Sequence, residues 1–357
     1  MVQAGEDVPL TGNRDVQAGI QRCVAERKQI MQIITGMEAL PEHMECAVAI
    51  GKFDGIHIGH QKLLSDILEQ KGRQLIPCVF TFDPPPEVLF GKSDGKELTT
   101  RDEKRKIFGD MGVELLVEFP LTLETAGTEA EVFVREILCN RLHCRYLAAG
   151  KDVSFGRGGL GNEALLRTLA PECGFELKTI DKVSILGQEV SSTYIRQLVK
   201  EGRMEECTQY LGRPYSFTGE IIHGNHIGTA MGFPTANMPV PSNKLMPPRG
   251  VYFTKIYEVA GEDLLTQPES GAGYLGRDNF PARGISNVGI KPTISSDNPE
   301  GVETCLFDFT GDLYGQRLEV FFEHFHRPEQ RFDCVKDLKE QVAKDMHTCA
   351  VFHDENK

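Results

Sequence analysis

The sequence predicts two consecutive units of different class: an α/β unit built on a parallel sheet, then a small antiparallel β-barrel with a closing helix. Three observations carry this. From Met31 to about Glu201, short apolar runs alternate with helical patterns, the order that builds a parallel sheet covered on both faces. Past the breaker Gly212-Arg213-Pro214 the texture changes to short alternating runs between loops dense in Gly, Pro and Asn, the mark of a small antiparallel barrel. An amphipathic pattern over 333–346 then closes the chain, with Val335, Leu338, Val342 and Met346 on one side.

Taken in order, residues 1–30 are polar and lack the apolar stretch of a signal peptide, so they are expected to be a disordered extension or the result of a start codon placed too early. The first unit is expected over 31–212 and the second over 213–350. Met31 to Ile34 opens the first β-like run, and the apolar Ala47-Val48-Ala49-Ile50 is the next. Gly51 stops that strand, Asp54-Gly55 makes a turn, and 61–70 carries Leu63, Leu64, Ile67 and Leu68 at helical spacing. Apolar runs follow at 75–82, 113–119 and 146–149, with helical patterns over 100–111, 128–142 and 163–169. In the second unit, strands are expected at 216–223, 251–257, 302–309 and 318–325. Residues 262–283 are long, polar and glycine-bearing, which suits a surface insertion between strands.

The 357 residues suffice for two domains, each with its own core. Hydrophobic content of 40% and charged content of 25% are those of a soluble globular protein, and no run of about 18 apolar residues suggests a membrane span. A formal net charge of −13 argues against a nucleic-acid surface but not against a nucleotide, whose phosphates need only one helix N-terminus and one or two Arg. The ten cysteines include no CxxC pair; buried free thiols in a reducing cytoplasm are expected, and Cys139-His143-Cys144 is not read as a metal site.

The stretch from Val48 to Leu64 reads as a nucleotide site. Strand, glycine turn and helix follow one another, and His57 and His60 sit where the turn feeds the helix, with Gly59 between them allowing close backbone approach. A helix N-terminus offers unpaired N–H groups to an anion, and two imidazoles three residues apart can add donors. The residues as they stand, GKFDGIHIGH, resemble the HxGH signature of the nucleotidylyltransferase superfamily. The longer form, running to Leu63-Leu64, resembles the prokaryotic bifunctional riboflavin kinase/FMN adenylyltransferase (FAD synthetase) family.

That resemblance implies a Rossmann-like adenylyltransferase domain in the first half. Its ATP-binding residues would be Gly51, Phe53, Asp54, His57, His60, Asp152, Ser191, Ser192, Thr193 and Arg196. Asp152 lies in Gly150-Lys-Asp-Val-Ser-Phe-Gly156, and the last four belong to Ser191-Ser-Thr-Tyr-Ile-Arg196. From the residues alone, Ser191 to Thr193 are good helix N-caps as well as phosphate donors. Two departures from the family stand out: Pro85 where a His is usual, and Gly159 near the place of an Arg, for which Arg157 or Arg196 is expected to compensate.

In the second half, Gly232-Phe-Pro234-Thr235-Ala-Asn237 matches the PTAN signature of riboflavin kinases, preceded by Gly224 and Gly228 in a loop fit to lie over phosphates, with Thr229 in place of the usual Arg. Thr235 and Asn237 offer hard oxygen donors suited to Mg²⁺. Glu303, in Val302-Glu303-Thr304, is assigned by the resemblance as catalytic base, and Asn287 and Arg327 as ligand-binding residues. The resemblance therefore implies phosphorylation of riboflavin to FMN by the second half and adenylylation of FMN to FAD by the first, with ATP as co-substrate and Mg²⁺ in both. Its partners would be these small molecules, with neither nucleic acid nor membrane. Two other readings stay open on the sequence: a riboflavin kinase with an inactive or repurposed first half, and a non-catalytic flavin-binding regulator.

Overall fold

The computed structural model describes residues 31–36, 38–41, 43–223, 235–259, 281–290, 300–307, 309 and 313–356. The extension over 1–30, most of the insertion over 262–283 and the glycine loop over 224–234 lie outside them.

The strands Gln32–Ile34 (β1), Cys46–Ile50 (β2), Ile76–Asp83 (β3), Leu115–Pro120 (β4), Cys144–Gly150 (β5) and Glu176–Ile180 (β6) form one sheet. Their order is β1-β4-β3-β2-β5-β6, and every neighbouring pair is parallel. The two strands beside β2 are β3 and β5, so the connections leave it in opposite directions and open a crevice at its carboxyl end. All five residues of β2 are buried, with the small Ala47 and Ala49 facing one helix layer and Val48 and Ile50 the other. Helices Ile58–Glu69 (α1) and Arg101–Met111 (α2) supply Leu63, Leu64, Ile67 and Phe108 to the first layer. The second layer comes from Phe133–Arg141 (α3), π-wound and continuing from Ala130–Val132, and from Glu163–Cys173 (α4). Helix α1 begins three residues before the pattern at 61 because His57 caps it, so His60 lies in its first turn.

A short hairpin, Ser184–Ile185 (β7) with Gln188–Glu189 (β8), leads to helices Ser192–Glu201 (α5) and Met204–Leu211 (α6). These two helices pack with the barrel: Ile195, Leu198, Val199, Cys207 and Leu211 share one core cluster with Phe217, Tyr252 and Phe322. Gly212 ends α6 with φ +75°, and a Cβ there would stand 2.9 Å from Ile58 Cγ2. A side chain is therefore both conformationally strained and crowded at this seam. Gly212→Ala should cost about 1–3 kcal/mol of stability, measured by urea unfolding; an unchanged midpoint would contradict the packing described.

The second sheet contains Tyr215–Glu220 (β9), Thr235–Pro239 (β10), Gly250–Val259 (β11), Ala282–Ile290 (β12), Glu300–Leu306 (β13) and Arg317–Pro328 (β14). It is antiparallel throughout, in the order β10-β13-β12-β11-β14-β9, and an Ile222–Asn237 bridge brings its two edges together. Strand β12 begins at Ala282, so the last two residues assigned to the insertion belong to the sheet. Its apolar inner face is crossed by a buried hydroxyl chain, with Thr254 to Ser286 at 3.0 Å and Ser286 to Thr304 at 2.8 Å. Helix Val335–Glu355 (α7) covers Val251, Phe253, Ile285 and Cys305 on the outer face. The covering stripe is Val342, Met346, Cys349 and Phe352. Val335, placed on that stripe by the sequence pattern, is 65% exposed, because the apolar face continues past Met346 rather than starting at the first turn.

Candidate active sites

The turn after β2 is the first candidate. Phe53, Gly55 and Ile56 all have positive φ, and strained non-glycine residues concentrate where a chain is held for function. The Phe53 ring is completely buried and meets Phe108 edge-on, so its part is to fix the backbone. A Cβ at Gly51 would stand 3.2 Å from that ring, and one at Gly59 would stand 3.2 Å from His57 Nδ1.

His57 caps α1: its Nδ1 accepts from the His60 backbone N–H at 3.3 Å. That bond places the imidazole proton on Nε2, which is left as a donor. The His60 ring stacks on His57 at 3.7 Å. Burial, opposed by Asp54 and reinforced by Arg213, lowers His57 to about 4. His60 is also held well below the usual histidine range, by burial first and then by His57 and Lys104. Both imidazoles are thus neutral donors at physiological pH, not cations.

Between about pH 6.5 and 4 the unfolded chain binds a proton at His57 that the folded chain refuses, so stability is full above this window and falls on acidification. The shift corresponds to roughly 3 kcal/mol at most. His57→Asn keeps an N-cap acceptor but cannot titrate, so its stability loss between pH 7 and 4.5 should be smaller by about 2 kcal/mol. Urea unfolding across that range checks it; identical pH profiles would mean His57 is not held neutral.

Asp54 joins the turn to the second half of the site. Its Oδ2 accepts from Arg196 Nε at 3.1 Å and Nη2 at 2.6 Å, its Oδ1 from the Leu98 N–H at 2.8 Å, and its carbonyl from Ser192 Oγ at 2.9 Å. Arg196 also donates to the Lys96 carbonyl at 2.6 Å. Ser191 caps α5 and Thr193 is exposed in its first turn, so the N-terminus of α5 reaches Asp54 through Ser192, three residues before the His57 cap of α1. Asp152 lies in the loop at the carboxyl end of β5, exposed, 3.5 Å from Lys182. Gly159 has φ +70°, and a Cβ there would stand 2.5 Å from Ser154 Oγ, so a side chain at this position would be strained. Arg157 pairs with Glu129 and is 62% exposed. Pro85 leads into a single helical turn, Pro86–Leu89.

Two contributors carried no signal in the sequence. Arg213, read only as part of a breaker, donates to the Gly55 and Ile56 carbonyls at 2.9 and 3.2 Å. Gln61 donates to Ile56 and Leu211 carbonyls at 3.0 and 2.7 Å.

The second candidate lies on β13. Glu303 stands in register between Asn237 on β10 and Asn287 on β12, so all three project on one face. Thr235, on the same face, donates its hydroxyl to Glu303 Oε1 at 2.8 Å. Asn287 Nδ2 donates to Glu329 at 3.1 Å. Hydroxyl, amide and carboxylate oxygens together suit a hard cation that keeps water and phosphate ligands, so these residues fit Mg²⁺. Gly224, Gly228, Gly232, Pro234 and Thr229 fall outside the described residues. Arg327 donates to Asp345 on α7 through Nε at 3.0 Å and Nη2 at 2.6 Å, and His326 and Gln341 reach the other oxygen. Burial pushes the Asp345 carboxyl up, and Arg327 and Gln341 more than offset this, holding it below the usual range.

Residues 39–194 match the FAD synthetase family and residues 211–352 the riboflavin kinase family. The bifunctional riboflavin kinase/FMN adenylyltransferase of Escherichia coli strain K12 is 30% identical over 326 residues, 90% of this chain and 98% of that protein. The chain belongs to this family. The Listeria monocytogenes protein of the same description is 33% identical over 310 residues, covering 85% of this chain and 91% of its own. The crystal structure of a macrolide-efflux protein from Streptococcus pneumoniae superimposes with a TM-score of 0.73 at 24% identity, covering 88% of this chain and 97% of that one. That likeness carries the fold alone. Members of the family thus place both catalytic units on one chain, and this chain matches them over nearly their full length.

Proposed function

We propose that the chain makes FAD from riboflavin in two ATP-consuming steps at separate sites, phosphorylation on the barrel (213–350) and adenylylation on the α/β unit (31–212). The observation that carries this is the Thr235–Glu303 contact, flanked in register by Asn237 and Asn287, on the same chain as the His57–Asp54–Arg196 constellation.

In the first step Glu303 takes the proton of the riboflavin 5′-hydroxyl as that oxygen attacks the γ-phosphorus of ATP; FMN and ADP leave. Thr235 holds the carboxylate oxygen in place. In the second step the FMN phosphate, already ionised, attacks the α-phosphorus of a second ATP and pyrophosphate departs. No base is needed there, so the protein contributes alignment and donors. The His57 Nε2–H, Arg196 and the N-termini of α1 and α5 meet the developing charge, with Ser191 to Thr193 on the triphosphate side. Mg²⁺ bound with ATP would neutralise phosphate charge in both steps, with Thr235 and Asn237 holding it at the barrel. The charged substrates ATP and FMN suit a cytoplasmic enzyme, and among the described residues no helix is long and apolar enough to cross a membrane.

Given FMN, ATP and Mg²⁺, the protein should release pyrophosphate; given riboflavin, it should release ADP. Chelating divalent ions with EDTA should stop both, and Mg²⁺ should restore both. Retention of either activity in EDTA would remove the metal from that step.

A further inference from the structure

We propose that Lys244, a barrel residue, is a positioning residue for adenylyl transfer: it registers the barrel on the segment 96–100, which in turn orients Asp54 and Arg196. The proposal rests on the reading above that Asp54 and Arg196 serve the adenylyltransferase.

The segment 96–100 runs into the Thr100 cap of α2 and meets a ladder only at the isolated parallel bridge between Glu97 and Lys244, so most of its backbone groups must be paired from outside. They are paired in two directions. Toward the nucleotide turn, the Lys96 carbonyl accepts from Arg196, the Leu98 N–H donates to Asp54 at 2.8 Å, and Thr99 Oγ1 accepts from the Gly55 N–H at 3.1 Å. Toward the barrel, the Glu97 N–H donates to the Asn243 carbonyl at 2.6 Å and its carbonyl accepts from the Leu245 N–H at 2.8 Å. Leu98 faces both ways, because its carbonyl accepts from Lys244 Nζ at 2.8 Å.

Lys244 is completely buried. Its ammonium lies 2.7 Å from Glu103 Oε2 and 4.6 Å from the centre of the Tyr215 ring. Glu103 is also buried and accepts from the N–H groups of Thr100 at 2.8 Å and of Thr218 at 3.0 Å. A buried pair of this kind fixes register more than it adds stability, since sliding the loop would strand a charge. The loop it fixes follows β10, the strand of Thr235 and Asn237. The barrel therefore bears on the geometry of a phosphate-binding arginine through the segment 96–100.

The test compares full-length variants. Lys244→Met leaves the Glu103 carboxylate buried without its countercharge; Glu103→Gln/Lys244→Met removes both charges, and Gln keeps one of the two acceptor oxygens that Thr100 and Thr218 now use. In the double variant the KM for ATP in FMN adenylylation should rise about 10-fold with kcat little changed, the signature of weakened phosphate binding common to ground and transition states. Riboflavin phosphorylation should stay near that of the unmodified protein, while the melting temperature falls by several degrees from the buried hydrogen bonds lost at Leu98 and at one Glu103 oxygen. Lys244→Met should show a larger rise in that KM; where it does not accumulate, the double variant decides alone. An unchanged KM for ATP in the double variant, or equal loss of both activities, would overturn the proposal. Arg196→Ala runs alongside: if it leaves adenylylation intact, the site reading fails, whereas a loss there with an unaffected double variant removes only the role of Lys244.

Discussion

Glu303→Gln should reduce FMN formation by roughly 10²–10⁴-fold, the usual value of general-base catalysis. The substitution preserves shape and leaves Thr235 a carbonyl oxygen to donate to, so the register of Asn237, Glu303 and Asn287 across β10, β13 and β12 should survive. What is lost is the ability to accept the riboflavin hydroxyl proton. FMN supplied directly should still become FAD at the unmodified rate, because nothing at His57 or Arg196 depends on Glu303. Equal loss in both steps, read by separating the flavins chromatographically, would mean that the two sites are not independent.

Replacing His57 and His60 together with Ala should have the opposite signature: FAD formation collapses while FMN accumulates. One donor aimed at developing charge is worth about 10²–10³ in rate, so the pair should cost at least that much. Because both imidazoles are held neutral, the effect arises from lost hydrogen-bond donation rather than lost positive charge. The rate of adenylylation in the unmodified protein should accordingly show no histidine titration between pH 5 and 8. The variant also loses the N-cap of α1, about 1 kcal/mol, so riboflavin phosphorylation serves as the control for folding. Loss of phosphorylation to the same extent would assign the histidines to stability.

Most of this was legible in the chain where local chemistry repeats a rule. The apolar run of β2, the glycine turn and the pair of histidines announce a strand, turn and helix without help from distant residues. The motif residues of the barrel could be named, but their meeting could not be derived, because Thr235 and Glu303 are 68 positions apart and only the register of β10 on β13 joins them. Least legible was the seam. Arg213 and Lys244 look like ordinary surface cations in sequence, yet one supports the turn carbonyls and the other lies completely buried between the units. Arg196 could be named as an ATP-binding residue, but its bonds to Asp54 and Lys96, residues 142 and 100 positions away, are signalled by no local pattern.

The central claim is that one chain carries riboflavin all the way to FAD. The most direct measurement is a time course with the pure protein, riboflavin, ATP and Mg²⁺, with flavins separated chromatographically and pyrophosphate followed in parallel. The account predicts that FMN appears first, that FAD follows after a lag, and that one pyrophosphate is released for each FAD. Accumulation of FMN with neither FAD nor pyrophosphate would contradict it and leave a riboflavin kinase carrying an inactive first unit.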